Sequence, residues 1–293
     1  MAEEKWLLDG PKVIELGAIR KLKVALIRGQ VDIVGHDEPT TRVEVHSVSG
    51  RDLRVWTDGD TLEIDHPQLR WDNFIDVFSS FRGTARADVS VLVPREVALK
   101  FGVVSSSGLI TGLYSDAAIS TVNGDLVIDG LKGDITLNSV NGELAVQDHT
   151  GRITAHTVNG DITAAGEISR FSADGVNCEI FLDIDGAPDE IRVNTVNGGI
   201  TARLEEGNPA EYRINSVGGR IQLDDTTITG VRGGYNAKYG TLDRRYLEFR
   251  ANTVSGNIAV IHAVKPEAPS EGEHAPSGTA PGPKSSRRKA AKS

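Results

Sequence analysis

Apolar residues recur two apart through the middle of the chain: Leu126 and Ile128, Ile135 and Leu137, Leu144 and Val146, Ile153 and Ala155. A period of two is that of a strand with one buried face. The pairs are separated by corners at Gly124, Gly133, Gly142, Gly151 and Gly160, nine residues apart. Nine residues are too few for a helical hairpin and suit one short strand plus one turn. A longer beat lies over the short one. Val-Asn-Gly stands at 122–124, 140–142 and 158–160, followed by Val176-Asn177-Cys178, so this corner returns every 18 residues. The corners between are of another kind, such as Gly130-Leu131-Lys132-Gly133, Asp148-His149-Thr150-Gly151 and Glu167-Ile168-Ser169.

Two all-β arrangements fit a strand every nine residues. Asn-Gly is a strong hairpin signal, which favours an antiparallel meander. Alternating corner chemistry favours a coil of two strands and two turns, because a repeat of one strand needs only one kind of corner. The second arrangement is the expectation adopted here: a single-chain β-solenoid, β-helix-like, with two opposed sheets and about 18 residues per regular coil. Leu126 then lies over Leu144 and Ile162, and Ile135 over Ile153 and Phe171. The beat loosens after residue 180 but continues through Ile200 and Ala202, Tyr212 and Ile214, Ile221 and Leu223, and the last strands near 246–251 and 257–263. Earlier, Leu22, Val24 and Leu26 precede Gly29, so coiling is expected from about residue 22. The predicted organisation is 1–98 as N-terminal coils and cap, 99–264 as the solenoid, and 265–293 as a disordered tail rich in Pro, Ser and Ala.

Composition narrows the partners. The net charge is −9 and the last ten residues, with five Lys or Arg and no acid, carry +5, so the remainder carries −14. An acidic body is not expected to bind nucleic acid, while the basic end could meet an anionic surface. Cys178 is the sole cysteine, so no disulfide can form within the chain. With no run of 18 apolar residues, no transmembrane segment is expected, and with no recognisable leader the expected location is cytoplasmic.

Candidate chemistry is sparse. The seven histidines lack metal-ligand spacing, no Gly-x-Ser-x-Gly frames a nucleophile, and Cys178 has no specified base, so no catalytic residue, metal site or cofactor is predicted. Asp125, Glu143, Asp161 and Glu179 fall 18 apart and predict an acidic row that is either a solvated edge or a cation site. Asn123, Asn141, Asn159 and Asn177 predict an amide ladder. The outward positions show no Arg or Lys cluster to hold an acidic sugar. The best contact candidate lies outside the repeats, where Trp71, Phe74, Ile75, Phe78 and Phe81 follow helical spacing in an amphipathic segment, 71–82, of a chain only 5% aromatic. Such a helix would either plug an open end of the solenoid or dock a protein partner or a second copy.

The recurring Val-Asn-Gly-Asp-Leu/Ile units, the strand end at Val91-Leu92-Val93-Pro94 and the first unit at Gly29 resemble a widespread bacterial family of β-strand-repeat proteins, the adhesin-type or toastrack domains. The resemblance spans roughly residues 13–264. It implies a solenoid of strands, no catalytic residues to carry over, and a scaffold or sensor role that in some relatives accompanies envelope-stress signalling. The functional expectation is a non-enzymatic protein-interaction scaffold. The alternative is a carbohydrate-binding or polysaccharide-cleaving β-helix protein, or a surface adhesin.

Overall fold

In the computed structural model, the described residues are 4–67, 85–229, 233–242 and 245–263. The contact candidates Trp71, Phe74, Ile75, Phe78 and Phe81 lie outside them, as does the tail. Described residues fall in one compact unit, Met1–Ala263. All named elements are strands, and the 18-residue winding is present. Strand β10 (Leu126–Asp129) lies parallel to β12 (Leu144–Asn159) with Leu126 opposite Leu144, and β12 lies parallel to β13 (Ile162–Asn177) with Leu144 opposite Ile162. Likewise β11 (Ile135–Asn141) places Ile135 opposite Ile153, which faces Phe171. The meander is excluded for these coils, since neighbouring strands run in the same direction.

The pairing corrects the expectation of two separate opposed sheets. Strand β8 (Ala98–Thr111), like β12, runs through a corner and serves both layers. With β9 (Ala117–Asn123), the sequence β8, β9, β11, β12, β10 and back to β8 is a closed ring of five strands. Other strands extend outward from this barrel-like ring. They are still conveniently followed as two layers. Layer one contains Phe101, Ile119, Leu137, Ala155 and Ala173 in register, and layer two contains Ile110, Ile128, Val146, Ala164 and Leu182. All ten are buried. Burying one such large side chain contributes about 1.5–3 kcal/mol. Large and small residues alternate so that the narrow interior fills. Phe171 stands two residues from Ala173 and Phe249 two from Ala251, while a Cβ on Gly108 would lie 3.2 Å from the Phe101 ring. This shape matching explains why so few aromatics are used.

The corners set the register. Gly142 has φ +146°, and a Cβ there would lie 2.4 Å from the Gly124 carbonyl oxygen, so a side chain is excluded on both counts. Beside these glycines the Thr121, Ser139 and Thr157 hydroxyls donate to the carbonyls of Gly124, Gly142 and Gly160 at 3.4 Å. Sequence reading overlooked this Thr/Ser-Val-Asn-Gly corner, although the hydroxyl residue precedes each motif. In the fourth corner the two end residues are exchanged, giving Gly175-Val-Asn-Cys178. A Cβ on Gly175 would meet the Cys178 Sγ at 2.2 Å, so the buried thiol occupies the space that the Thr side chain fills elsewhere.

Both ends depart from simple succession. Strands β15 (Glu190–Asn197) and β16 (Ile200–Glu205) form one coil, and β17 (Ala210–Gly218) and β18 (Ile221–Leu223) the next. The last coil, β21 (Leu247–Ser255) and β22 (Ile258–Ala263), inserts between them. Strand β20 (Gly233–Tyr239) then runs antiparallel to β17, and β19 (Thr226–Ile228) antiparallel to β18. At the other end β3 (Lys21–His36) begins the parallel stack against β8, as the pattern near residue 22 predicts. Strands β6 (Thr61–Asp65) and β7 (Arg86–Pro94) lie on its far side, followed outward by antiparallel β5 (Leu53–Asp58) and β4 (Thr40–Ser49), then by β1 (Glu4–Leu8) and β2 (Lys12–Gly17).

His66 follows β6 and is fully buried. Its Nδ1 accepts from the Ile27 amide at 3.3 Å, and its Nε2 has no partner among the described residues. Burial pushes its pKa down to about 4, partly opposed by the Asp65 charge. His149, also buried, is shifted in the same direction by burial.

Two predictions follow from these packing sites. Gly175→Thr alone should cost about 1–3 kcal/mol by overpacking against the thiol, whereas the pair Gly175→Thr/Cys178→Gly should recover most of that loss; denaturant midpoints of wild type, both singles and the double measure the coupling, and simple additivity would refute the exchange. Because the folded-state pKa of His66 is depressed, the unfolded chain binds more protons between about pH 6.5 and 4, so stability is full above 6.5 and falls as pH drops toward 4, by up to about 3 kcal/mol from this residue. Thermal melts across that window should show a steeper decline for wild type than for His66→Asn.

Candidate interaction surface

Parallel stacking turns each outward position into a row. On the outer face of layer two, Leu109, Val127, Ala145, Thr163, Phe181, Thr201 and Ala259 lie in successive register. Strand β14 (Ile180–Ile184) contributes Phe181. Leu109, Val127 and Phe181 are 38%, 39% and 43% exposed, and these seven positions are uncharged, the register continuing to Asp32 beyond Leu109 and to Gln222 beyond Ala259. At about 4.8 Å per step the stripe runs on the order of 29 Å. An exposed apolar strip of this kind, beside polar rows, is the common mark of a contact surface.

The acidic row borders this stripe and has a structural duty. Asp125 Oδ1 accepts from the Glu143 amide at 2.9 Å, and Asp161 Oδ1 from the Glu179 amide at 2.8 Å. Each Asp thereby satisfies a backbone donor of the next corner. The asparagine ladder is also realised: Asn141, Asn159, Asn177 and Asn197 donate through Nδ2 to the Oδ1 of Asn123, Asn141, Asn159 and Asn177 at 2.7–3.0 Å. Among the described residues there is no group of three or more His, Cys, Asp or Glu side chains arranged to hold a metal ion.

The outer face of layer one differs from expectation. Insertion of β21 brings Arg192, Arg250 and Arg213 side by side, although they are far apart in sequence. This is an arginine row that the sequence reading excluded. Glutamates occupy the neighbouring row: Arg250 meets Glu248 at 2.5 Å and Glu190 at 3.5 Å, Arg192 meets Glu190 at 3.6 Å, and Arg213 meets Glu211 at 2.8 Å. The row is therefore largely self-neutralised and poorly suited to holding an acidic sugar. Further along the same strands, a groove of ≈ 340 Å³ is lined by Asn194, Asn252, Asn215, Val196, Val254 and Val217, among others. Those three amides hydrogen-bond to one another, so the groove offers few free donors.

One constellation has the outline of a nucleophile, base and orienting acid. Tyr212 Oη lies 2.8 Å from His262 Nε2, and His262 Nδ1 lies 2.9 Å from Asp224 Oδ2, with the Tyr239 ring stacked on the imidazole at 3.7 Å. The Tyr212 side chain is buried, and burial, aided by the Asp224 charge and by Tyr239, pushes its hydroxyl ionisation up. A hydroxyl that is both inaccessible and harder to ionise is a poor nucleophile. The four residues instead join β22, the turn after β18, β17 and β20, clasping the inserted coil in place. Cys178 is no better suited to attack, since burial, with the charges of Asp161 and Glu179, pushes its thiol up to about 11.

Among solved structures, the chain is similar to a candidate cell adhesion protein of Clostridium sporogenes at 14% identity, over 86% of this chain and 100% of that one, with a TM-score of 0.29. It is similar to a candidate lipid binding protein of Parabacteroides distasonis at 14% identity, over 87% and 99%, with a TM-score of 0.49. A candidate adhesin of Bacteroides fragilis matches at 13% identity, over 86% and 97%, with a TM-score of 0.40. No curated protein matches the sequence. The expected cytoplasmic location does not stand: it drew only on the lack of a long apolar run and of a recognisable leader, and neither absence fixes a location. No helix among the described residues is long and apolar enough to cross a membrane. The model of the family described as Toastrack DUF4097 matches residues 19–261, most of the chain, with the same strand-repeat plan that the register displays, and the protein therefore belongs to that family.

Proposed function

We propose that this chain is a non-enzymatic, adhesin-like binding module that holds another protein against its outer sheet faces. The carrying observation is the stripe from Leu109 through Val127 and Phe181 to Ala259. It is uncharged in an acidic body, runs through seven strands in register, and is backed by a core that cannot yield without breaking the coil. Rigid, repetitive faces suit binding because little conformational freedom is lost when a partner settles. The adhesion proteins among the similar structures support the same reading. A link to envelope-stress signalling draws only on the resemblance to relatives that occur with such systems.

The test couples the intact chain to beads and measures retention of bacterial envelope proteins. Saturable, protease-sensitive retention is expected, with a loss of at least about tenfold for Leu109→Ser/Val127→Ser/Phe181→Ser. The melting temperature of that variant should remain close to wild type, because all three side chains point outward. Equal retention by the folded triple variant would remove this face as the contact, and no retention by either would remove the adhesin-like reading.

A further inference from the structure

The two ends of the stacked sheets are treated differently by the sequence. At the N-terminal end the outermost strands carry Glu4 and Lys5 on β1 and Lys12 and Glu15 on β2. Charged residues on an edge discourage another strand from adding to it. At the opposite end the outermost strands are β19, Thr-Thr-Ile, and β20, Gly-Gly-Tyr-Asn-Ala-Lys-Tyr, with Lys238 the single charge among ten residues. Strand β20 pairs with β17 through seven consecutive residues with no bulge, and among the described residues it pairs with no other strand. Its core-side residues Tyr235, Ala237 and Tyr239 pack on the end of the interior and stay only half-buried. Among the described residues, then, this edge is unbroken, nearly uncharged and without the usual protection, and its rings are half-covered.

From this geometry we propose that a second copy of the chain covers this end, with the two β20 strands paired antiparallel about a two-fold axis through Asn236. Such a register is self-complementary. Tyr235 lies opposite the second copy's Ala237, Gly233 opposite its Tyr239, and Gly234 opposite its Lys238, so large residues meet small ones and no like charges face each other. The axis stands normal to the sheet, so both copies turn Tyr235, Ala237 and Tyr239 to the same side and the interior continues across the seam. A seven-residue strand spans about 24 Å, and two layers with their side chains about 20 Å, so the ends bury on the order of 1,000 Å² in total. That lies at the lower limit of specific interfaces and implies a dimer that dissociates on dilution. A foreign strand has no such argument in its favour, because the edge's own sequence supplies the matching half. This assembly goes beyond the outer-face contact and does not depend on it.

Sedimentation of the full chain over a wide concentration range should show a reversible monomer–dimer equilibrium. Asn236→Lys places two like charges on the axis and should raise the dissociation constant at least about tenfold; Asn236 is exposed, so circular dichroism should be unchanged. Under mild oxidation Asn236→Cys should cross-link into a dimer, while Lys5→Cys at the other end should not; the native Cys178 is buried and stays out of the reaction. A monomer at every concentration overturns the proposal and leaves the edge to another protein's strand. A dimer unaffected by Asn236→Lys, or one captured by Lys5→Cys, places the interface elsewhere and overturns it equally.

Discussion

The parallel backbone ladder that repeats every 18 residues is the constraint on which the rest of this protein depends. Each corner must bring the chain back one strand spacing higher, with its apolar positions over those of the coil below. The corner glycines permit this because they approach the preceding corner more closely than any Cβ would allow. Once the register is fixed, similar residues lie above one another: apolar side chains fill a thin interior, amides link into a ladder, and aspartates cap the next amide. A one-residue slip would turn the interior rows outward, so every coil holds its neighbours in phase.

Most of the winding was legible in the sequence because its signals are local. The spacing of Val-Asn-Gly gives the coil length, and the alternation of Leu126 and Ile128 or Ile135 and Leu137 gives the buried face. What was not legible depends on order in space. Nothing in residues 247–263 announces that they enter between two earlier coils, and so the row of Arg192, Arg250 and Arg213 could not be seen from spacing alone. The closing of five strands into a ring is hidden for a related reason, since β8 and β12 look like two strands each until the corner is seen to continue the pairing. Gly175 and Cys178 were readable only as irregularities; their exchange makes sense once both are seen to share one space. The aromatic segment chosen as the contact candidate falls outside the described residues, while the stripe through Phe181 escaped notice because its members are 18 or more residues apart.

The polar groups that first suggest chemistry are mostly occupied with holding the coil. The aspartates of the corner row accept backbone donors, the asparagines satisfy one another, and the Tyr212, His262 and Asp224 chain links β17, β22 and the turn after β18. Groups committed in this way are poorly placed to serve turnover. What remains free is surface: long, regular rows on stiff sheets, whose character changes from apolar to amide to charged in steps of two residues. Under the proposed binding role, the order of these rows, and not a pocket, would carry specificity.

The late insertion of β21 and β22 also governs how the chain can be assembled. As the polypeptide emerges from its N-terminal side, the coils from β8 to β16 can be laid down one upon another in the order of synthesis. The stretch from β17 to β20 has no finished floor to rest on, because the layer beneath it is encoded last. It must wait, or settle and then part, until residues 247–263 arrive and slide into the gap. Completion of this end is therefore a single closing event that waits on residues 247–263, and a chain stopped short of them would expose unsealed strands on both sides of the vacancy.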